Sequence, residues 1–232
     1  MPLSDQLTSR QMRRWELDQR LQERFDRDAA AALVRRDVVT ISRERGSGGT
    51  LIGMMVAKQL DWEFYDHELI NRVAQQIGTE PEAIEEHDER ASGFMHNLLF
   101  QLLEGRRATE IQYLRSLVRI LRTIRARGEA VIMGRGAHLV LPDALRVRIV
   151  APLETRIERI ADLEDLTLAE ARKEILSADR DRGDFVRVHF GVDAADPYYY
   201  DLIINTATTS LEHAAGLVLC ALETRRLSVG EG

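Results

Sequence analysis

Residues Val38–Thr50 read VVTISRERGSGGT, and how this stretch is read decides the fold. Val38–Ser42 is a short β-rich run, and Leu51–Leu60 has helical character. Between them stand Gly46, Gly48 and Gly49. Strand, glycine loop and helix in that order suit an anion: glycines permit turns that other residues resist, and the first amides of a helix point at one place. A full phosphate loop reads G-x-x-x-x-G-K-[ST]. In that register Arg43 takes the first position, Gly48 and Thr50 match, and Gly49 stands where the lysine belongs. Gly46, Ser47, Gly48, Gly49 and Thr50 are therefore the candidate phosphate-binding residues, with Thr50 also a candidate metal contact. Arg43 and Arg45 are the candidates for the missing charge. A tight β–α turn without a ligand accounts for the glycines equally well, and both arginines can instead pair with Glu44, Asp66 or another surface acid. Returning a lysine at position 49 is expected to meet a backbone that needs glycine.

Outward from this loop, the chain repeats the α/β rhythm. WEFYD is a second strand and HELINRVAQQIG a helix that Gly78 is expected to stop. Residues 81–127 are almost wholly helical by pattern, with Pro81 at a first-turn position and Gly128 at the end. EAVIMGRG is a third strand, LRVRIVA a fourth with Pro152 opening the next helix, and residues 167–190 are helical and polar. YYYDLIINT supplies the last strand, and Ser210 caps a closing helix. Five strands alternating with helices predict an α/β fold, a parallel five-stranded sheet covered on both faces. Residues 1–36 read as a charged helical arm before a domain at 37–232. The stretch 81–127 reads as an insert whose leucines, Leu98, Leu102, Leu114, Leu117 and Leu121, need cover from the core or from a second copy in a homodimer.

Composition narrows the function classes. A net charge of -6 argues against a general nucleic-acid surface, and no apolar run reaches the ~18 residues of a membrane span. Cys220 is the sole cysteine, which excludes an internal disulfide framework; a cytoplasmic protein is expected. Lysine occurs only at Lys58 and Lys173, so charge at a phosphate site must come mainly from arginine. The histidines lack metal-ligand spacing, and Ser42 and Ser47 have no partnering His–Asp arrangement.

ISRERGSGG, FYDHELI, VIMGRGAH, RVRIVAPLETRIERI and DPYYYDLIINT occur in the order found in nucleoside monophosphate kinases. Over roughly residues 37–225 the chain resembles cytidylate kinases, and most closely the divergent cytidylate-kinase-like family that carries S-R-E-x-G-S-G-G. The resemblance implies ATP and Mg2+ as cofactors, nucleotides as partners, and a P-loop-type domain with a helical acceptor-binding insert and a lid near 178–192. It implies that Asp66, Arg72 and Arg135 bind the acceptor and that Arg180, Arg182 and Arg187 close over the transferring phosphate. His67 stands where the family has a small residue, and Gly136 where it has an aspartate that meets the nucleoside. The expected activity is ATP-dependent phosphorylation of a nucleoside monophosphate (CMP-like) or a related small phosphorylated acceptor. Two rivals are a non-catalytic nucleotide-binding regulator and an interaction module with a vestigial cleft.

Overall fold

The computed structural model describes residues 37–79 and 108–229; the expected arm at 1–36 and the first part of the insert, 81–107, lie outside the described residues. Strand β1, Val38–Arg43, leads through the glycine loop into helix α1, Gly49–Leu60. Strand β2, Glu63–Tyr65, is followed by α2, His67–Thr79, which continues through Gly78 rather than stopping there. Helix α3, Ala108–Arg127, precedes β3, Ala130–Met133, and a single turn of helix, α4, Ala137–Val140. The chain continues through β4, Leu145–Val150, α5, Leu153–Glu164, and α6, Leu168–Phe190. It closes with β5, Leu202–Asn205, and α7, Leu211–Val229.

All strand pairs are parallel, in the order β2-β3-β1-β4-β5. From central β1 the chain first runs to the edge strand β2 and returns to β3 beside β1, then crosses to β4 and β5 on the other side, so a switch point lies at the carboxyl end of β1. The alternation of β4 explains its place: Leu145, Val147 and Ile149 are buried, while Arg146 and Arg148 face the other way. One face of the sheet packs Val39, Ile41, Val131, Met133, Val147 and Ile149 against Ile52 and Val56 of α1 and Ala214, Val218 and Leu222 of α7.

Helix α3 packs against α2, and Leu114, Leu117 and Leu121 are buried within this single chain. For those three leucines the core is the cover; Leu98 and Leu102 lie outside the described residues. The expected lid at 178–192 is not a separate element. Residues 178–190 are the C-terminal half of α6 and 191–192 follow its Gly191 C-cap; this 23-residue helix starts from a capping box, in which Glu170 N–H donates to the Thr167 hydroxyl and the Glu170 carboxylate accepts from the Thr167 N–H. Among the described residues no helix is long and apolar enough to cross a membrane.

Candidate active site

The carboxyl ends of β1, β3 and β4 lie side by side, because Gly134 N–H donates to Ile41 C=O at 3.0 Å and Glu44 N–H to Ile149 C=O at 3.1 Å. The loop after β1 turns through Gly46 and Gly48, both at φ +80°. Ser47 is buried between them; its hydroxyl donates to Glu44 C=O at 2.8 Å, and its own carbonyl accepts from the Thr206 hydroxyl at 2.8 Å. Gly48 is the N-cap of α1, no side chain caps the helix there, and its first turn carries no acid. The positive end of α1 is therefore open toward the cleft, with Thr50 exposed beside it.

Gly49 departs from expectation in its reason for being glycine. It is the first helical residue and does not have a positive φ. A Cβ built there would lie 2.5 Å from Cβ and 3.1 Å from Cγ of Arg43. The start of the Arg43 side chain fills the space where a side chain at 49 would begin, so the residue at loop position one and the residue at the lysine position exclude one another sterically.

From that start Arg43 reaches toward β3. Its Nη1 would lie 2.6 Å from a Cβ at Gly134, and its Nη2 donates to Nδ1 of His67 at 3.1 Å. Burial, and after it charge repulsion from Arg182 and Arg135, bring the pKa of Arg43 down to about 10; Asp66 opposes this, and Arg45 adds a smaller repulsion. One nitrogen on each of the three, Nε of Arg43, Nε of Arg135 and Nη1 of Arg182, is buried without a hydrogen-bond partner among the described residues. Asp179 comes only to 3.6 Å of that Arg182 nitrogen. Buried donors are normally paired; Nε of Arg43 and Arg135 have no hydrogen-bond partner and Nη1 of Arg182 has only the long ion pair, an arrangement whose chemistry suits an anion with several acceptor oxygens. Burial, and after it Arg43 and Arg135, push the His67 imidazole down to about 4, so it is neutral near pH 7.

The other predicted residues fall apart into different surroundings. Arg45 does not join Arg43. Its guanidinium pairs with Glu164 and with Glu174 at 2.6 Å, the ion-pair alternative with acids the sequence reading had not singled out. Asp66 caps α2, accepting from Leu69 N–H at 2.7 Å. Arg72, one turn further on, is exposed. Arg135 sits at φ +52° between Gly134 and Gly136, its guanidinium 4.8 Å over the Phe185 ring. On α6, Arg180 is exposed and Arg187 is exposed and paired with Asp184 at 3.1 Å, whereas Arg182 turns inward. Side chains on one helix face different ways, and only the middle arginine of the three meets the cluster. At Gly136 a Cβ would lie 2.2 Å from the Phe190 ring, so Phe190 occupies the space an aspartate there would need.

Several contributors escaped sequence reasoning. Glu44 accepts from Ala151 N–H at 3.2 Å and lies 3.5 Å from both Arg148 and Arg156. Buried Arg156 also donates to Arg45 C=O at 3.0 Å and pairs with Asp179 at 2.5 Å, and Asp179 accepts from Arg45 N–H at 2.7 Å. Arg159 donates to Thr206 C=O at 2.6 Å. The spacing of Arg156 and Arg159 on α5 was the available signal, since three apart they share a helix side. A cavity of about 760 Å³ runs from the glycine loop past Leu51, Ile160 and Leu163 to Thr206–Glu212.

An open parallel sheet, a glycine loop feeding an uncapped helix and a cluster of arginines at the switch point define a P-loop-type α/β kinase fold. The cytidylate kinase-like family model matches residues 38–208, and the chain belongs to that family. It is 29% identical over 107 residues to the cytidylate kinase of Methanopyrus kandleri, covering 41% of this chain and 55% of that one. It is 31% identical over 173 residues to the cytidylate kinase of Ignicoccus hospitalis, covering 73% and 90% of the two chains. In fold alone it resembles the crystal structure of an uncharacterised protein from Eubacterium ventriosum, with a TM-score of 0.65 and 20% identity over 82% of this chain and 99% of that one. Family and fold together support nucleotide-dependent phosphoryl transfer as the general class.

Proposed function

We propose that the chain transfers the terminal phosphoryl group of ATP to a small phosphorylated acceptor, a nucleoside monophosphate of the CMP type being the first candidate. The observation that carries this is the convergence of Arg43, Arg135 and Arg182, each with a buried N–H that lacks a hydrogen-bond partner, beside the open N-terminus of α1. Phosphoryl transfer asks little covalent chemistry of a protein; it needs two phosphates in line, water excluded and spreading negative charge neutralised. Donor phosphates would lie on the amides of Gly46–Thr50, with the nucleoside in the cavity against Leu51, Leu163 and Thr206–Glu212. Arg135 and Arg182, on the β3 side, would meet the acceptor phosphate and the group in flight. Arg43 lies between the two sides and would touch the transferring group.

The site also suits magnesium that arrives with the nucleotide. No cluster of three acidic or histidine ligands exists among the described residues, but magnesium on phosphates keeps several waters and asks for only one or two protein oxygens. Thr50 is the loop hydroxyl that would supply one, and the ion would add positive charge at the phosphates.

The test is a coupled assay of purified protein with ATP, magnesium and a panel of monophosphates, with ADP binding measured calorimetrically alongside. Turnover of any acceptor supports the reading and names the substrate. Binding without turnover on the whole panel replaces it with the regulatory alternative, and absence of binding at millimolar nucleotide removes the phosphate site altogether.

A further inference from the structure

We propose that His67 is a positioning residue, and that Arg43 held by His67 replaces the phosphate-loop lysine as one coupled unit with Gly49. This rests on the phosphotransfer reading of the same site. Three observations carry it. The Arg43 side chain starts in the space denied to residue 49, since a Cβ there would meet Arg43 Cβ at 2.5 Å. The far end of Arg43 lies against Gly134, where a Cβ would meet Nη1 at 2.6 Å. Nη2 is held by His67 Nδ1 at 3.1 Å, while Nε remains unpaired.

The direction of the hydrogen bond fixes the role of the imidazole. A guanidinium only donates, so Nδ1 of His67 must accept, which leaves the ring neutral with its proton on Nε2. An acceptor without charge can hold Arg43 without neutralising it, whereas a carboxylate hydrogen-bonded in this place would cancel most of the charge the site needs; the nearby Asp66 carboxylate is engaged by Leu69 N–H and acts on Arg43 only through space. Asp66 contributes one step back: by capping α2 it sets the first helical residue, His67, facing the ends of β1 and β3. A lysine side chain is flexible and rises from the helix; here a rigid planar fork arrives from the preceding strand and needs a clamp at its tip. That requirement explains a histidine next to the capping aspartate, where turn formation alone asks for nothing of the kind.

The experiment is a set of variants, His67→Ala, His67→Phe, His67→Asn, Arg43→Ala and the Arg43→Ala/His67→Ala pair, each measured for kcat, KM, ADP affinity and Tm. His67→Ala and His67→Phe are expected to lower kcat about 10-fold, the order of one hydrogen bond to a charged group, with KM changed much less. His67→Asn should recover most of the rate, because its Oδ1 can accept where Nδ1 did. The double variant should be no slower than Arg43→Ala alone, since contacting residues in one unit are not additive. Multiplicative losses, or equal loss in the Asn and Ala variants, would overturn the proposal. If the parent protein binds ADP but turns over nothing, the same cycle is read in ADP affinity: coupling there keeps the positioning role while the kinase reading falls, and additivity removes both. A parent protein that binds no nucleotide also overturns it.

Discussion

Arg43 and Arg45 stand two residues apart on opposite flanks of one loop, and the structure treats them oppositely. On the outer flank every charge is answered: Arg45 has Glu164 and Glu174, Arg156 has Asp179 and Glu44, and the loop amide of Arg45 has Asp179. On the inner flank Arg43, Arg135 and Arg182 each keep a buried nitrogen without a hydrogen-bond partner; Arg43 has a neutral histidine, and the nearest acids are Asp66, acting on Arg43 through space, and Asp179, 3.6 Å from Arg182. The outer network ties the loop to α5 and α6 and holds its shape. Within the inner cluster the arginines repel one another, and under the proposed function a bound phosphate would relieve that repulsion. The difference teaches that an arginine near a phosphate loop is read by its partners rather than by its position in the sequence.

The sharpest way to break this comparison is to remove each arginine in turn. Arg43→Ala should lower the rate ~10²-fold or more, as loss of a preorganised charge donor does, with Tm unchanged or raised because a desolvated, repelled cation is gone. Arg45→Ala should lower Tm slightly and leave the rate within several-fold of the parent. Equal losses of rate in the two variants would erase the distinction between the flanks. Assays of turnover and thermal melting on both proteins decide it.

Next in size is the steric exclusion at Gly49. Gly49→Lys alone should destabilise the protein by about 1–3 kcal/mol, as overpacking does, because Cβ must displace Arg43. Adding Arg43→Gly should return part of the stability and give the lysine its room. A denaturant titration that finds the single variant as stable as the parent would show that Arg43 moves aside freely.

The histidines sharpen the comparison through pH. His67 is held down at about 4 and buried His138 at about 3, both chiefly by burial. An ordinary imidazole titrates near ~6.5, so below that value the unfolded chain takes up protons that the folded chain refuses. Their contribution to stability is complete above pH ~6.5 and is lost as pH falls toward 4 and then 3. Tm should fall over that window, and His67→Asn should remove the share of His67, about half of the fall between pH ~6.5 and 4, leaving the share of His138 that continues toward pH 3. A flat profile in the parent would mean that neither ring is kept neutral by the fold.

The smallest effect belongs to the outer flank. Glu164→Gln should change stability by no more than ~1 kcal/mol, since Arg45 keeps Glu174 and pairs this exposed contribute little. A larger loss, measured by chemical denaturation, would make Arg45 part of the loop's essential frame.

Much of the architecture was legible because it is written in local patterns. The alternation in Leu145–Val150, the β-branched run at Val38–Ile41, and Ser210, whose hydroxyl accepts from His213 N–H at 3.2 Å, all act within a few residues of themselves. The glycine loop was legible for the same reason. What the sequence could not assign is which arginine is free. Arg45 is neutralised by acids 119 and 129 positions away, Arg182 is distinguished from Arg180 and Arg187 by the face of α6 it occupies, and Gly136 is closed by Phe190. Charge pairing and steric exclusion act through space between elements that only the sheet brings together. The chain therefore determined by itself that a phosphate-loop fold would form, and the tertiary structure alone decided that Arg45 is taken up by acids while Arg43, placed by Gly49 and His67, keeps a buried nitrogen without a hydrogen-bond partner.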